Sequence, residues 1–179
     1  MAKQSVLVPV LVFAGLVILL GFGFRLSDPS YLPSQKLGEP LPEFRLPNLL
    51  DESQWLTEAD FLGEPFLLNV WATWCPSCLA EHDALTSIRQ EHGVRIMGIN
   101  YNDDPIKARR WLQDLGDPYD YHVIDAKGTL AVDLGVYGAP ETFVVAADGT
   151  ILYRHVGVVT EAVFEETLAN RLLSAADRL

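Results

Sequence analysis

Cys75 and Cys78 are the only cysteines in the 179-residue chain, and only Pro76 and Ser77 lie between them. Two thiols at C-x-x-C spacing can interconvert with one disulfide, so the pair is read first as a redox couple. The apolar run Phe66, Leu67, Leu68, Val70 and Trp71 that precedes the pair reads as a buried strand, and the stretch that follows reads as a helix. Cys75 is therefore expected at a helix N-terminus, where unpaired N–H groups and the positive end of the macrodipole favour a thiolate. Pro76 suits that first turn, because its fixed φ fits and its missing N–H costs nothing there. Cys78 falls further in and is expected to be less exposed. Position thus assigns the roles: Cys75 is the exposed, acidified nucleophile, and Cys78 resolves a mixed disulfide by closing a short disulfide with it.

Other chemistries fit the pair less well. A structural staple across so short a loop constrains the unfolded chain little. A zinc or copper site could recruit His82, but no second cysteine pair completes a zinc set. Covalent haem attachment needs histidine directly after the second cysteine, and Leu79 stands there. A net charge of -11 with no basic cluster argues against a nucleic-acid partner.

The elements that position the pair follow from the pattern on either side of it. Residues 5–24 carry no charge and are long enough to cross a bilayer as a helix. Lys3 precedes them and Arg25 is soon offset by Asp28, which favours a cytoplasmic N-terminus with the rest of the chain exported. A cleaved secretory signal is the alternative, but Gly21-Phe22-Gly23-Phe24 is a poor cleavage site, so an uncleaved anchor is expected. The expected organisation is an N-terminal transmembrane anchor over 1–26, a Pro/Ser/Gly-rich linker over 27–42 and one domain over 43–179.

Within that domain, short extended pieces are expected around Phe44-Arg45-Leu46 and Ser53-Gln54-Trp55, then a short capped helix from Thr57 to Leu62. The helix from Pro76 to about His92 is expected to bury Leu79, Leu85 and Ile88 and to stop at Gly93. A strand over Val94–Asn100 leads to a helix capped by Asp104, with Pro105 at its first position and Gly116 at its end. An edge-like strand follows at Tyr121–Ile124, then a short helix at Thr129–Leu134. Asp148-Gly149 marks a hairpin between strands at Thr142–Ala146 and Thr150–His155. A last helix starts at Thr160, with Val163, Phe164, Leu168, Leu172 and Leu173 on its apolar face. This β-α-β-α-β order with a final hairpin and helix predicts an α/β fold, a mixed sheet flanked by helices on both faces. With C-x-x-C at the first βα junction, it points to a thioredoxin-like domain.

Three segments carry a more specific likeness: Val70 to His82, Gly135-Val136-Tyr137-Gly138-Ala139-Pro140-Glu141-Thr142-Phe143, and Tyr153-Arg154-His155-Val156-Gly157. With the N-terminal anchor, the chain resembles the thiol:disulfide interchange proteins of cytochrome c biogenesis, the DsbE or CcmG type of the thioredoxin superfamily. The resemblance implies a cis Ala139-Pro140 peptide facing the dithiol, and a groove in which Tyr137, Gly138 and Ala139 receive an extended substrate. Trp74 and Pro76 support the active site, with Trp71 and Trp74 as its walls.

Glu81, three residues beyond Cys78 on one helix face, and Glu141, after the facing proline, are the carboxylates expected to tune the thiols or move a proton. Thioredoxin has a buried aspartate where Asn69 stands, so Asn69 is not the expected proton acceptor, which favours a role for Glu81 or Glu141. Val158 occupies a place that is acidic in some relatives. The implied activity is reduction of disulfides in apocytochrome c, or in a maturation partner, before haem attachment. It would be carried out from the periplasmic side of the inner membrane, with a membrane electron donor restoring the dithiol and no cofactor beyond the Cys75/Cys78 couple. The alternatives are a copper-delivering chaperone and a general exported reductase.

Overall fold

A computed structural model of the chain describes residues 8–19 and 36–176, which belong to two compact units divided between Pro33 and Ser34. In the first unit, residues 8–19 form a helix (α1) with large apolar side chains exposed. No helix among the described residues is long and apolar enough to cross a membrane. The rest of the expected 1–26 anchor lies outside the described residues.

The second unit is built on a five-stranded sheet. Its elements in order are β1 (Arg45–Pro47), β2 (Trp55–Thr57), a 3-10 turn (Glu58–Phe61), β3 (Phe66–Trp71), α2 (Pro76–His92), β4 (Ile96–Tyr101), α3 (Pro105–Leu115), β5 (Tyr121–Asp125), α4 (Thr129–Asp133), β6 (Glu141–Val145), β7 (Ile151–Val156), α5 (Glu161–Val163), a π turn (Phe164–Leu168) and α6 (Ala169–Ala176). The sheet order is β5-β4-β3-β6-β7. β3, β4 and β5 run parallel, and β6 and β7 are antiparallel to their neighbours. The mixed sheet is as expected, and β5 is an edge strand.

The strand period of two sorts β3 onto two faces. Leu67 and Trp71 pack with Leu85 and Ile88 of α2, Ala108 and Leu112 of α3, and Phe164 and Leu168 of the π turn. Phe66, Leu68 and Val70 face the opposite way, onto Leu130, Ala131 and Leu134 at and just beyond α4, and onto Leu56 and Phe61. Helices therefore cover both faces, with the β1-β2 hairpin helping α4 on the second.

Local signals account for most boundaries. Asp104 Oδ1 accepts from Ile106 N at 2.8 Å, and Pro105 opens α3. Gly93 ends α2 in the left-handed region at φ 64°, a conformation that costs glycine little. Thr160 caps α5 by accepting from Val163 N at 3.2 Å.

Four expectations are corrected. Leu79 is 51% exposed, and the buried face of α2 is Cys78, Glu81, His82, Leu85 and Ile88. Leu79 and Ile88 are nine positions apart, about two and a half turns, so they point to opposite sides. Leu173 stands in the same relation to Phe164 and is likewise exposed, with Ala175 buried in its place. The last helix is also not regular, since a π turn interrupts it at Phe164–Leu168. Finally, part of the expected 27–42 linker is built into the domain. Gly38 N donates to Ile151 O at 2.8 Å, Leu41 N donates to Gly149 O at 2.9 Å, and Leu41 is buried.

Candidate active site

β3 ends at Trp71, and one short turn at Thr73-Trp74 carries the chain into α2 with Cys75 as its N-cap and Pro76 at the first position. Cys75 and Cys78 are joined in a disulfide with their Cα atoms 5.3 Å apart. The backbone N–H of Cys78 donates to Cys75 Sγ at 3.1 Å. This N–H at the helix start, shared with Cys75 O at 3.2 Å, is thus aimed at the sulfur that would carry negative charge, the arrangement that stabilises a thiolate. The expected contrast in exposure is absent: in the disulfide both cysteines are 3% exposed. Their distinction lies in the N–H aimed at Cys75 and in what lies below Cys78.

The turn before Cys75 is held from β4's end. Asp103 accepts from Thr73 N at 2.6 Å, from Thr73 Oγ1 at 2.7 Å and from Asn100 Nδ2 at 3.0 Å. Trp74 donates Nε1–H to Asn102 O at 2.9 Å and packs edge-on to Tyr101, leaving its indole 51% exposed beside the disulfide. Trp71 is buried, stacked on Tyr119 with centroids 5.5 Å apart. Gly98 makes that stack possible, because a Cβ there would lie 2.9 Å from both Trp71 Nε1 and Tyr119 Cγ. Trp74 therefore borders the site and Trp71 supports it from below.

The Ala139-Pro140 peptide is cis. Ala139 packs against the buried cluster that contains both cysteines, which brings this loop to the dithiol. Tyr137 is exposed, with its ring 4.8 Å from the Arg154 guanidinium.

The two glutamates part company. Glu141 is buried and bonded to Arg154 Nε at 2.6 Å, with Tyr137 N 3.3 Å from its other oxygen. Burial pushes its carboxyl above the usual range, against the pull of Arg154 and of the Tyr137 and Gly138 N–H groups. All these partners lie in the facing loop and β7, so Glu141 ties that loop to β7.

Glu81 is buried on the same face of α2 as Cys78. Its Oε1 accepts from Asn69 Nδ2 at 2.8 Å and its Oε2 from Val159 N at 2.9 Å. Burial raises its pKa to about 7, although both hydrogen bonds favour the ionised form. The segment around Val158 thus reaches the site through the backbone N–H of Val159, whatever side chain stands at 158. Asn69, not an expected site residue, is the centre of a buried polar chain with Thr142, Glu81 and Tyr119.

His82 is buried beside Glu81, with Trp111 Nε1 donating to its Nδ1 at 3.2 Å and its Nε2 3.0 Å from Gly116 O. Both ring nitrogens are engaged away from the cysteines, so His82 does not complete a metal set with them. No group of three or more His, Cys, Asp or Glu side chains suited to a metal ion occurs among the described residues.

Residues 36–173 match the Redoxin family model. The chain is 48% identical to the thiol:disulfide interchange protein DsbE of Pseudomonas aeruginosa, over 94% of this chain and 93% of that protein. It is 51% identical to the protein of the same name from Vibrio cholerae, over 80% of this chain and 77% of that one. Among solved structures it is similar to a thio-disulfide isomerase of Thermus thermophilus, at 28% identity and a TM-score of 0.65, covering 79% of this chain and 97% of that one.

Proposed function

This chain belongs to the Redoxin family and to the DsbE-type thiol:disulfide interchange proteins, with a thioredoxin-like fold and the activity of a thiol-disulfide oxidoreductase; from that premise we propose that it reduces disulfides of apocytochrome c, or of a maturation partner, before haem attachment. It does so on the periplasmic side of the inner membrane, held there by residues 1–26 as a single-pass anchor. The Cys75/Cys78 couple is the whole redox centre, and a membrane electron donor returns it to the dithiol.

The reaction runs through two exchanges. Cys75, as thiolate, attacks one sulfur of the substrate disulfide, and the other substrate sulfur leaves as a thiolate that takes up a proton. Cys78 then gives its proton to Glu81 and attacks Cys75 Sγ, releasing the second substrate thiol and closing the Cys75–Cys78 disulfide. Two electrons pass to the substrate. Glu81 suits the acceptor role because it is buried one helical turn from Cys78 and titrates at about 7, where a base gains and loses a proton with equal ease. Glu141 does not take that role, since its carboxylate is committed to Arg154.

Tyr137, Gly138 and Ala139 form the substrate groove, with Trp74 and Pro76 on its opposite side. The exposed rings of Trp74 and Tyr137 offer flat apolar surface to an extended chain.

The observation that carries this reading is the N–H of Cys78 aimed at Cys75 Sγ at the start of α2. The experiment is capture. A Cys78→Ala variant of the full-length chain, mixed with an oxidised C-x-x-C-H peptide of an apocytochrome, should accumulate a mixed disulfide through Cys75. An unrelated disulfide peptide captured equally well would make the chain a general exported reductase, and capture of neither would remove the proposed order of attack.

A further inference from the structure

Below the dithiol a buried polar chain runs through the core. Tyr119 donates its hydroxyl to Asn69 Oδ1 at 2.9 Å. Asn69 Nδ2 donates to Glu81 Oε1 at 2.8 Å and to Thr142 Oγ1 at 3.0 Å. Tyr119, Asn69, Glu81 and Thr142 are all buried. Four separate parts of the chain meet here: β3 supplies Asn69, α2 supplies Glu81, β6 supplies Thr142, and the segment before β5 supplies Tyr119.

We propose that Tyr119 and Asn69 are positioning residues that hold Glu81 ready to take the Cys78 proton, by fixing which way the Asn69 amide faces. An asparagine amide has a donor end and an acceptor end of nearly equal shape. The Tyr119 hydroxyl claims the acceptor end, so both amide hydrogens are left for Glu81 and Thr142. Turned over, the amide would set Oδ1 against a Glu81 oxygen, which only a protonated Glu81 tolerates. Tyr119 thus favours the ionised acid without touching it, and the inference rests on Glu81 being the acceptor. Burial, with Glu81 and Asp117 nearby, holds the Tyr119 hydroxyl well above its ordinary pKa, so it stays a donor. The other titratable groups facing the chain are Cys78 and His82 from α2, Asp117 before β5, and His122 of β5, whose ring meets Tyr119 edge-on and whose Nε2 is 2.9 Å from Asp117.

The test follows the Glu81 carboxyl by carbon-13 NMR, and the rate of mixed-disulfide resolution against pH, in the full-length chain with a C-x-x-C-H peptide disulfide. In Tyr119→Phe both midpoints should move alkaline together by about half to one unit, the scale of one neutral hydrogen bond. Resolution at pH 7 should then slow about two- to fivefold and converge with the parent rate near pH 9, while the first attack by Cys75 keeps its rate. Unmoved midpoints, or equal slowing at every pH, would overturn the inference. Asn69→Asp, which keeps the side-chain shape, serves if Tyr119→Phe does not fold. A second carboxylate beside Glu81 should move the midpoint further alkaline, and no movement would overturn the inference as well. Glu81→Gln separates the layers. If it flattens the pH profile while Tyr119→Phe leaves the midpoint in place, only the positioning role fails. A parent-like profile in Glu81→Gln removes the acceptor and its positioning together.

Discussion

Arg154 and Glu141 form a buried ion pair, with Arg154 Nε 2.6 Å from Glu141 Oε2 and the guanidinium 4.8 Å from the centre of the exposed Tyr137 ring. The pair ties the facing loop to β7, since Glu141 also accepts from Tyr137 N. Removing one partner strands the other charge where water cannot reach it. Arg154→Ala should therefore cost about 3 kcal/mol, read as a lower urea midpoint. Substrate capture should weaken with it, because Tyr137 loses the cation beneath its ring. An unchanged midpoint would mean that Glu141 is neutral in the folded chain.

The pH dependence of stability carries the mark of Glu81. Its carboxyl titrates at about 7 when folded against 4.5 for an ordinary glutamate. The folded chain therefore holds a proton that the unfolded chain gives up across that window. Stability from this group is full below pH 4.5 and is lost as pH rises to about 7, a change on the order of 3 kcal/mol. In Glu81→Gln that slope should vanish, so the variant should gain on the parent as pH rises from 4.5 to 7.5 in urea unfolding of the oxidised chain. Parallel curves would place the Glu81 titration elsewhere.

Asp103 stabilises the turn that delivers Cys75 to the helix start, by accepting from Thr73 N and Oγ1 and from Asn100. Asp103→Ala should leave the Thr73 N–H without its partner and cost about 1–3 kcal/mol. The rate of Cys75 attack should fall with it, as the thiolate loses its fixed place at the start of α2. A variant with lowered stability and an unchanged attack rate would limit Asp103 to a structural role.

Much of this was legible in the sequence because the signals are local. The C-x-x-C with Pro76 marks a helix start, Asp104-Pro105 caps the next helix, and Asp148-Gly149 turns the hairpin, each within a few residues of its effect. The family likeness pointed to the cis Ala139-Pro140 peptide, and the structure has it. What escaped depends on distance along the chain. Asn69 stands in the sequence where thioredoxin has an aspartate, yet its role comes from Tyr119, 50 positions away. Arg154 finds Glu141 only once β7 pairs with β6. Apolar character alone puts Leu79 and Leu173 on buried faces, whereas helical phase turns both to the surface. The Pro and Gly neighbours of Leu41 read as a linker, yet its backbone N–H bonds Gly149 O at the β6-β7 turn.

The central claim is that Cys75 is kept charged by its place at the head of α2, and the most direct measurement is its ionisation in Cys78→Ala, followed by ultraviolet thiolate absorbance against pH. The account predicts a pKa at least one unit below the free-cysteine value of about 8.5. A thiol that titrates at or above that value, as burial alone would dictate, would contradict it.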